Sequence, residues 1–94
     1  MKVKEVKEKV TPILIKHKIR KAGVFGSVAK NKDRKDSDVD LLIELGDDIS
    51  LLEFIGIKLE LEEALKKKVD LVEYKAIKPL LKDIILKEEV RIYG

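Results

Sequence analysis

The stretch FGSVAKNKDRKDSDVDLLIE, residues 25–44, carries the strongest local pattern in the chain. A Gly-Ser pair ends one apolar run, a basic and polar segment follows, and two aspartates one residue apart enter a second apolar run. Because side chains alternate across a strand, Asp38 and Asp40 share one face while the apolar residues beside them point into a core. The stretch is either a charged turn that leads into a strand or a site for phosphate and metal ions.

Outward from this stretch, apolar spacing and turn residues predict the other elements. The predicted elements are helices over residues 2–17, 27–34, 50–68 and 76–87, strands over residues 19–25, 38–44, 69–74 and 90–93, and a loop over residues 46–48. This order predicts an α/β (α+β) fold, with a small mixed sheet of three to four strands covered by helices.

Helix ends are predicted from capping residues. Pro12 predicts either a kink in the first helix or a restart with Thr11 as the N-cap. Ser27 is expected to cap the short second helix, because a serine hydroxyl accepts from a free backbone N–H. Ser50 and Glu53 form a capping box that begins the longest helix.

Composition restricts the class of protein. The chain has 94 residues and is 45% hydrophobic, so we predict one domain over residues 1–94. Cysteine is absent, which excludes disulfides and cysteine-based zinc sites. No run approaches the roughly 18 apolar residues of a membrane span, so we expect a cytoplasmic protein without a membrane partner. Basic and acidic residues number 21 and 18, which does not favour nucleic acid as a direct partner. The Lys- and Glu-rich, Gln-free composition suggests a thermophile.

The carboxylates of Asp38 and Asp40 raise each other's pKa unless a cation lies between them. Oxygen ligands of this kind suit Mg²⁺ or Mn²⁺. Asp70 begins a similar strand, since SDVDLLIE and KKVDLVEY share an acid directly after a valine. If the two strands are neighbours, three carboxylates can hold two metal ions. The alternative is that the pair is a charged strand entry and that Asp70 caps a strand at the surface.

Gly26 and Ser27 are candidates for binding phosphate. Glycine lets a backbone approach a phosphate closely, and the serine hydroxyl can donate a hydrogen bond. Lys30 lies one helical turn past Gly26 and could add a positive charge. The alternative is an ordinary turn, because Gly-Ser pairs are common there.

Taken together, these residues read GS-x10-DxD, with ten residues between Ser27 and Asp38. This signature resembles that of the DNA polymerase beta-like nucleotidyltransferase superfamily. The size and layout resemble the minimal nucleotidyltransferases, antitoxins of toxin–antitoxin pairs whose toxin is a HEPN-domain ribonuclease. The resemblance implies a polymerase beta palm-like fold and runs through FGSVAK, SDVDLLIE, LELEEALKKKVDLV and LKEEVRIYG.

The resemblance also implies residue roles. Asp38 and Asp40 would bind the Mg²⁺ ions that hold the triphosphate, and Asp70 would complete the metal site and help activate the attacking hydroxyl. Gly26 and Ser27 would hold the terminal phosphates. The implied activity is transfer of AMP from ATP to a tyrosine of the HEPN toxin. One departure is the Lys30–Asn31 pair, where the family often has Arg-Gly.

Other functions remain open at the level of sequence. An antitoxin could neutralise its toxin by contact alone, without catalysis. A transferase of this kind could instead modify a small molecule or an RNA end. Both a homo-oligomer and a hetero-oligomer with the toxin are compatible with a domain that has no second lobe.

Overall fold

Four helices and four strands make up the computed structural model, which describes residues 1–46 and 48–94. Asp47 of the predicted loop lies outside the described residues. The elements are α1 (Val3–Lys16), β1 (Lys21–Phe25), α2 (Gly26–Ala29), β2 (Val39–Glu44), α3 (Leu51–Leu65), β3 (Val69–Glu73), α4 (Pro79–Glu88) and β4 (Val90–Tyr93). A single 3₁₀ turn, Tyr74–Ala76, joins β3 to α4.

The strands form one mixed sheet in the order β3-β2-β1-β4. Strand β1 runs antiparallel to both β2 and β4, whereas β2 and β3 run parallel. Parallel neighbours need a long crossover, and α3 supplies it. The predicted mixed sheet of three to four strands is confirmed.

The main core lies between the sheet and the pair α1 and α3. Val39, Leu41 and Ile43 of β2 are at most 1% exposed, as the alternation predicts. They pack in one cluster with buried residues at helical spacing on both helices, namely Val6, Val10, Leu14, Ile57, Leu61 and Leu65. Burial of this apolar surface is the main force that holds the helices on the sheet.

The opposite face of the sheet is also partly covered, which the sequence did not predict. Leu42 is fully buried there, and Ile77 after the 3₁₀ turn is nearly so. Gly23 lies beneath Glu89, and a Cβ at Gly23 would stand 2.1 Å from the Glu89 Oε2 atom. The chain around the end of α4 therefore closes tightly over β1.

Helix α1 is unbroken, so the restart at Pro12 is wrong. Pro12 lies inside the helix, and the Thr11 hydroxyl donates to the Lys7 carbonyl at 2.5 Å instead of capping. Interior proline disfavours a helix by about 3 kcal/mol. Val10 and Leu14 are fully buried on either side of it, and this packing outweighs the local preference.

Helix α2 is shorter than predicted. It ends at Ala29 instead of residue 34, and its N-cap is Phe25, so Ser27 does not cap it. Asn31 adopts a left-handed φ of 59°, which a helix cannot continue through. Asn31 stands where the resembled family often has glycine, and asparagine tolerates this left-handed backbone.

The remaining ends differ by one to three residues. Strand β1 begins at Lys21 because Lys18 takes a left-handed turn after α1. Strand β3 ends at Glu73, and α4 begins at Pro79, the first helical position, because the 3₁₀ turn occupies residues 74–76.

Helix α3 begins after the predicted N-cap, Ser50. The Glu53 N–H donates to the Ser50 hydroxyl oxygen at 3.1 Å, and the helix ends on Lys66 in a left-handed cap. Its outer side exposes large apolar side chains, with Leu52 81% exposed, and α4 likewise leaves Leu80 92% exposed. Over the described residues, no helix is both long enough and apolar enough to cross a membrane.

Candidate active site

Two of the predicted site aspartates are direct neighbours in the sheet. In the parallel ladder of β2 and β3, Asp40 pairs with Asp70, and Val39 pairs with Val69. Asp38 lies immediately before β2, two residues from Asp40. The condition set by the sequence, that the two strands be neighbours, is therefore met.

Backbone and side-chain hydrogen bonds hold the entries of the two strands in place. The Val39 N–H donates to the Lys68 carbonyl at 2.9 Å, and the Val69 N–H donates to the Glu62 carboxylate at 2.9 Å. Lys67 donates to the carbonyls of Arg34 and Ser37 at 3.3 and 3.5 Å. The loops before β2 and β3 are thus joined, which holds the aspartates in register.

Electrostatics single out Asp40. Burial, followed by the negative charges of Asp70 and Asp38, raises the pKa of Asp40 to about 6. Asp38 and Asp70 are exposed, whereas Asp40 is half-buried between them. The two neighbouring carboxylates disfavour ionisation of Asp40, because no positive charge in the described part of the chain balances the three groups. A bound cation would supply that positive charge.

The donor set suits a hard cation. Carboxylate oxygens are the ligands that Mg²⁺ and Mn²⁺ prefer. In residues 1–46 and 48–94, however, no three acidic or histidine side chains already surround one cation position. Joint ligation by Asp38, Asp40 and Asp70 therefore requires their side chains to turn toward a common point. The ladder brings their backbones together, and the exposed side chains of Asp38 and Asp70 are the ones with room to turn.

Gly26 lies directly against this carboxylate cluster. Phe25, at the end of β1, pairs with Asp40 across the antiparallel ladder, so the next residue reaches the same edge. A Cβ on Gly26 would stand 2.1 Å from the Asp40 Oδ2 atom, and Gly26 has a φ of +72°. Both the close approach and the left-handed backbone require glycine. Ser27 follows as the second residue of α2.

Lys30 points elsewhere in this structure. It caps the C-terminus of α2, and its ammonium forms an ion pair with Glu88 at the end of α4. Asn31 accepts from Lys2 at 3.0 Å through its side-chain oxygen. The phosphate contact of Lys30 stays a prediction, and its acidic partner Glu88 was missed by the sequence analysis. The only signal for it was the acidic pair in LKEEVRIYG.

A second polar network on this face was also missed. The Tyr74 hydroxyl donates to Glu89, whose carboxylate accepts from Arg91 Nε at 3.1 Å. The Lys21 ammonium lies 4.4 Å from the centre of the Tyr74 ring. Burial and the Glu89 carboxylate raise the pKa of Tyr74 well above its usual range. This network secures the turn between α4 and β4 over Gly23.

Comparison with known proteins gives a family model and several relatives. The model described as polymerase beta, nucleotidyltransferase matches residues 8–94. A relative from Methanocaldococcus jannaschii, which bears the provisional name protein adenylyltransferase, is 48% identical over 92 residues, 98% of this chain and 99% of the relative. The protein adenylyltransferase MntA of Thermococcus cleftensis is 36% identical over 93 residues, 90% of this chain and 94% of the relative.

Solved structures share the fold. A structure described as that of a minimal nucleotidyltransferase, again provisionally named, superposes with a TM-score of 0.81 at 34% identity, over 94% of this chain and 90% of that chain. A chain in a complex of tri-AMPylated Shewanella oneidensis HEPN toxin with MNT antitoxin gives a TM-score of 0.74 at 19% identity. That match covers 97% of this chain and 71% of the other.

Proposed function

This chain belongs to the polymerase beta nucleotidyltransferase family, and we propose that within it the chain is a protein adenylyltransferase, moving AMP from ATP to a tyrosine of a partner protein. The observation that carries the proposal is the pairing of Asp40 with Asp70 across β2 and β3, with Gly26 packed against Asp40. The names of the two relatives support the reaction class and the protein acceptor.

The reaction replaces a phosphoanhydride bond of ATP by a phosphoester bond to tyrosine. The tyrosine oxygen bonds to the α-phosphorus of ATP, the bond from that phosphorus to the bridging oxygen breaks, and pyrophosphate leaves. The hydroxyl proton passes to a base, for which Asp70 is the candidate because it lies exposed at the edge of the site. Attack requires the entering and leaving oxygens to lie roughly in line.

We propose that Asp38, Asp40 and Asp70 hold Mg²⁺, with Mn²⁺ as a substitute and two ions as the expected number. When bound, the metal neutralises charge on the phosphates and on the leaving group. Burial, followed by the negative charges of Asp70 and Asp38, raises the pKa of Asp40, and this uncompensated carboxylate cluster supports the assignment.

Gly26 and Ser27 are the proposed phosphate contacts. Without a Cβ, Gly26 leaves the backbone beside Asp40 open to close approach. Lys30 would join them only by exchanging Glu88 for a phosphate. The Lys30 ammonium would then pair with Glu88 of α4 in the free protein and with a phosphate of ATP in the complex.

The proposed partner is a HEPN-family toxin, and the proposed role is that of an antitoxin. Support comes from the MntA name of one relative and from the similar fold of a chain in the toxin–antitoxin complex. We also propose, from composition alone, a cytoplasmic protein of a thermophile. A melting temperature in the mesophilic range would contradict the thermophilic source.

The test is transfer of label from α-labelled ATP with Mg²⁺ to the product of the adjacent gene. The wild-type chain is expected to label that protein, and Asp38→Ala with Asp40→Ala is expected to abolish labelling. Asp83→Ala, an exposed aspartate on α4, is the matched control and should label normally. Equal labelling by the double variant would refute the enzyme proposal.

Two other outcomes would redirect the assignment. Label on RNA or on a small molecule, and none on protein, would indicate a different acceptor. If the triple variant at Asp38, Asp40 and Asp70 still relieves toxin-arrested growth, neutralisation occurs by contact rather than by catalysis.

A further inference from the structure

A cavity of about 310 Å³ opens beside Asp38, and four lysines line it, namely Lys35, Lys66, Lys67 and Lys68. We propose that this space, here called the acceptor cavity, binds an acidic segment of the protein that receives AMP. The inference rests on the proposed function and adds the chemical class of the acceptor to it.

The sheet order places the cavity on the side from which the acceptor would approach the nucleotide. Gly26 lies at the end of β1, Asp40 lies in the middle on β2, and Asp70 lies on the edge strand β3. With the terminal phosphates at Gly26, in-line attack brings the acceptor hydroxyl from the opposite side, which is the β3 side. Residues 66–68 directly precede β3, so their lysines flank the acceptor's approach.

The side chains that line this cavity carry more positive than negative charge. Four lysines against Asp36 and Asp38 leave a formal charge of +2. Lys67 is occupied by backbone carbonyls, but Lys35, Lys66 and Lys68 are exposed and form no ion pair within residues 1–46 and 48–94.

The C-terminus of α3 does not by itself explain this cluster. A helix terminus attracts nearby cations, but Lys35 comes from the separate loop before β2. Carboxylates of an incoming chain would balance the excess and fix its register beside the metal site.

A protein segment fits this cavity better than RNA does. Binding of single-stranded RNA relies on aromatic side chains that stack with bases. None of the four aromatic residues, Phe25, Phe54, Tyr74 and Tyr93, is among the residues that line the cavity. The cavity therefore offers charge without stacking, and carboxylates close to the acceptor tyrosine match it.

Steady-state kinetics test the proposal with the product of the adjacent gene as acceptor. The variant Lys35→Gln/Lys66→Gln/Lys68→Gln is expected to raise the KM for the acceptor about tenfold and to leave the KM for ATP unchanged. The control Lys4→Gln/Lys7→Gln/Lys82→Gln removes the same charge from exposed positions on α1 and α4 and should change neither. Added salt should raise the acceptor KM of the wild type more than that of the cavity variant.

An unchanged acceptor KM in the cavity variant would overturn the proposal. A rise in the KM for ATP alone would also overturn it, because the lysines would then bind the nucleotide. Melting temperatures of the three proteins should agree, since all the substituted side chains are exposed.

A binding experiment separates this inference from the proposed activity. Its probes are a fluorescent peptide with two glutamates on each side of a tyrosine, the same peptide with glutamines, and a uridine-rich RNA. The glutamate peptide should bind the wild type about tenfold more tightly than the cavity variant, and the glutamine peptide should bind both weakly. Tighter binding of RNA than of the glutamate peptide would overturn the inference.

The two proposals fail in different ways. If the wild type binds the glutamate peptide but transfers AMP to no protein, the proposed function fails and the cavity stands. If it transfers AMP to the acceptor with no dependence on the three lysines, the cavity assignment fails alone.

Discussion

At the scale of single residues, Asp40 is the carboxylate of the site that burial and like charges most disfavour in its ionised form. Its neighbours on β2 fill the core, while its own carboxylate is half-buried beside two like charges. The sequence predicted that face-sharing and the resulting rise in pKa. It could not predict the burial, because burial depends on the approach of Gly26 from another strand.

The Asp40 carboxylate should make stability depend on pH. Its pKa is about 6 in the folded protein against 3.8 for the group unperturbed, so the folded state retains a proton between these values that the unfolded chain loses. Stability from this group is therefore full below about pH 4 and is lost as pH rises through about 6. After allowance for solvent screening, the loss is about 1–2 kcal/mol.

Thermal unfolding of Asp40→Asn in EDTA measures this loss. The variant should melt about 5 °C above the wild type at pH 7.5, and the difference should vanish near pH 4. Mg²⁺ should raise the melting temperature of the wild type more than that of the variant. A variant that melts below the wild type at pH 7.5 would contradict the expected sign.

Gly26 should tolerate no side chain. Gly26→Ala places a Cβ on the Asp40 carboxylate and forces alanine into a left-handed backbone, so we expect a loss of about 2 kcal/mol in the free energy of unfolding. Asp40→Ala in the same chain should recover part of that loss, because it removes one half of the clash. Strictly additive effects in this double-mutant cycle, measured by denaturant unfolding, would show that the clash is absent.

The ion pair of Lys30 and Glu88 should compete with nucleotide. Glu88→Gln releases the ammonium, so we expect the KM for ATP to fall about threefold, while Lys30→Gln should raise it. Glu63→Gln, an exposed acid on α3, is the control. A rise in the KM for ATP with Glu88→Gln would mean that Glu88 orients Lys30 for binding instead.

At the scale of elements, sequence predicted what local physics decides. The N-cap at Ser50, the helical stripe of α3 and the alternation of β2 all appear as expected, because each depends on near neighbours in the chain. Predictions failed where packing decides. Helix α1 continues through Pro12 because Val10 and Leu14 are buried around it. The early end of α2 at Ala29 is a different case, because it follows from the left-handed backbone of Asn31, which the local sequence permits but does not require.

Two leucines on α3 give a matched test of packing. Leu61 is fully buried in the core, so Leu61→Ala should lower the free energy of unfolding by about 2–5 kcal/mol. Leu52, on the outer side of the same helix, is 81% exposed, and Leu52→Ala should change the free energy of unfolding by less than about 0.5 kcal/mol. Chemical denaturation of the two variants checks the assignment of faces, and similar losses would contradict it.

At the scale of the whole molecule, the sequence predicted the site only on the condition that β2 and β3 are neighbours. The aspartates were visible, but the adjacency of β2 and β3 is a property of the sheet order that no local pattern encodes. The same is true of the pairs Lys30–Glu88 and Gly23–Glu89, which join residues far apart in the chain. Such contacts exist only because the end of α4 returns to β1.

The parallel pairing of β2 with β3 also sets the order of events during synthesis. Asp40 leaves the ribosome well before Asp70, and α3 must form and cross the sheet before the two carboxylates can meet. A nascent chain that ends within α3 therefore carries Asp40 without Asp70. A prematurely terminated product would therefore lack part of the proposed metal site, and that site would assemble only after β3 has been released and docked.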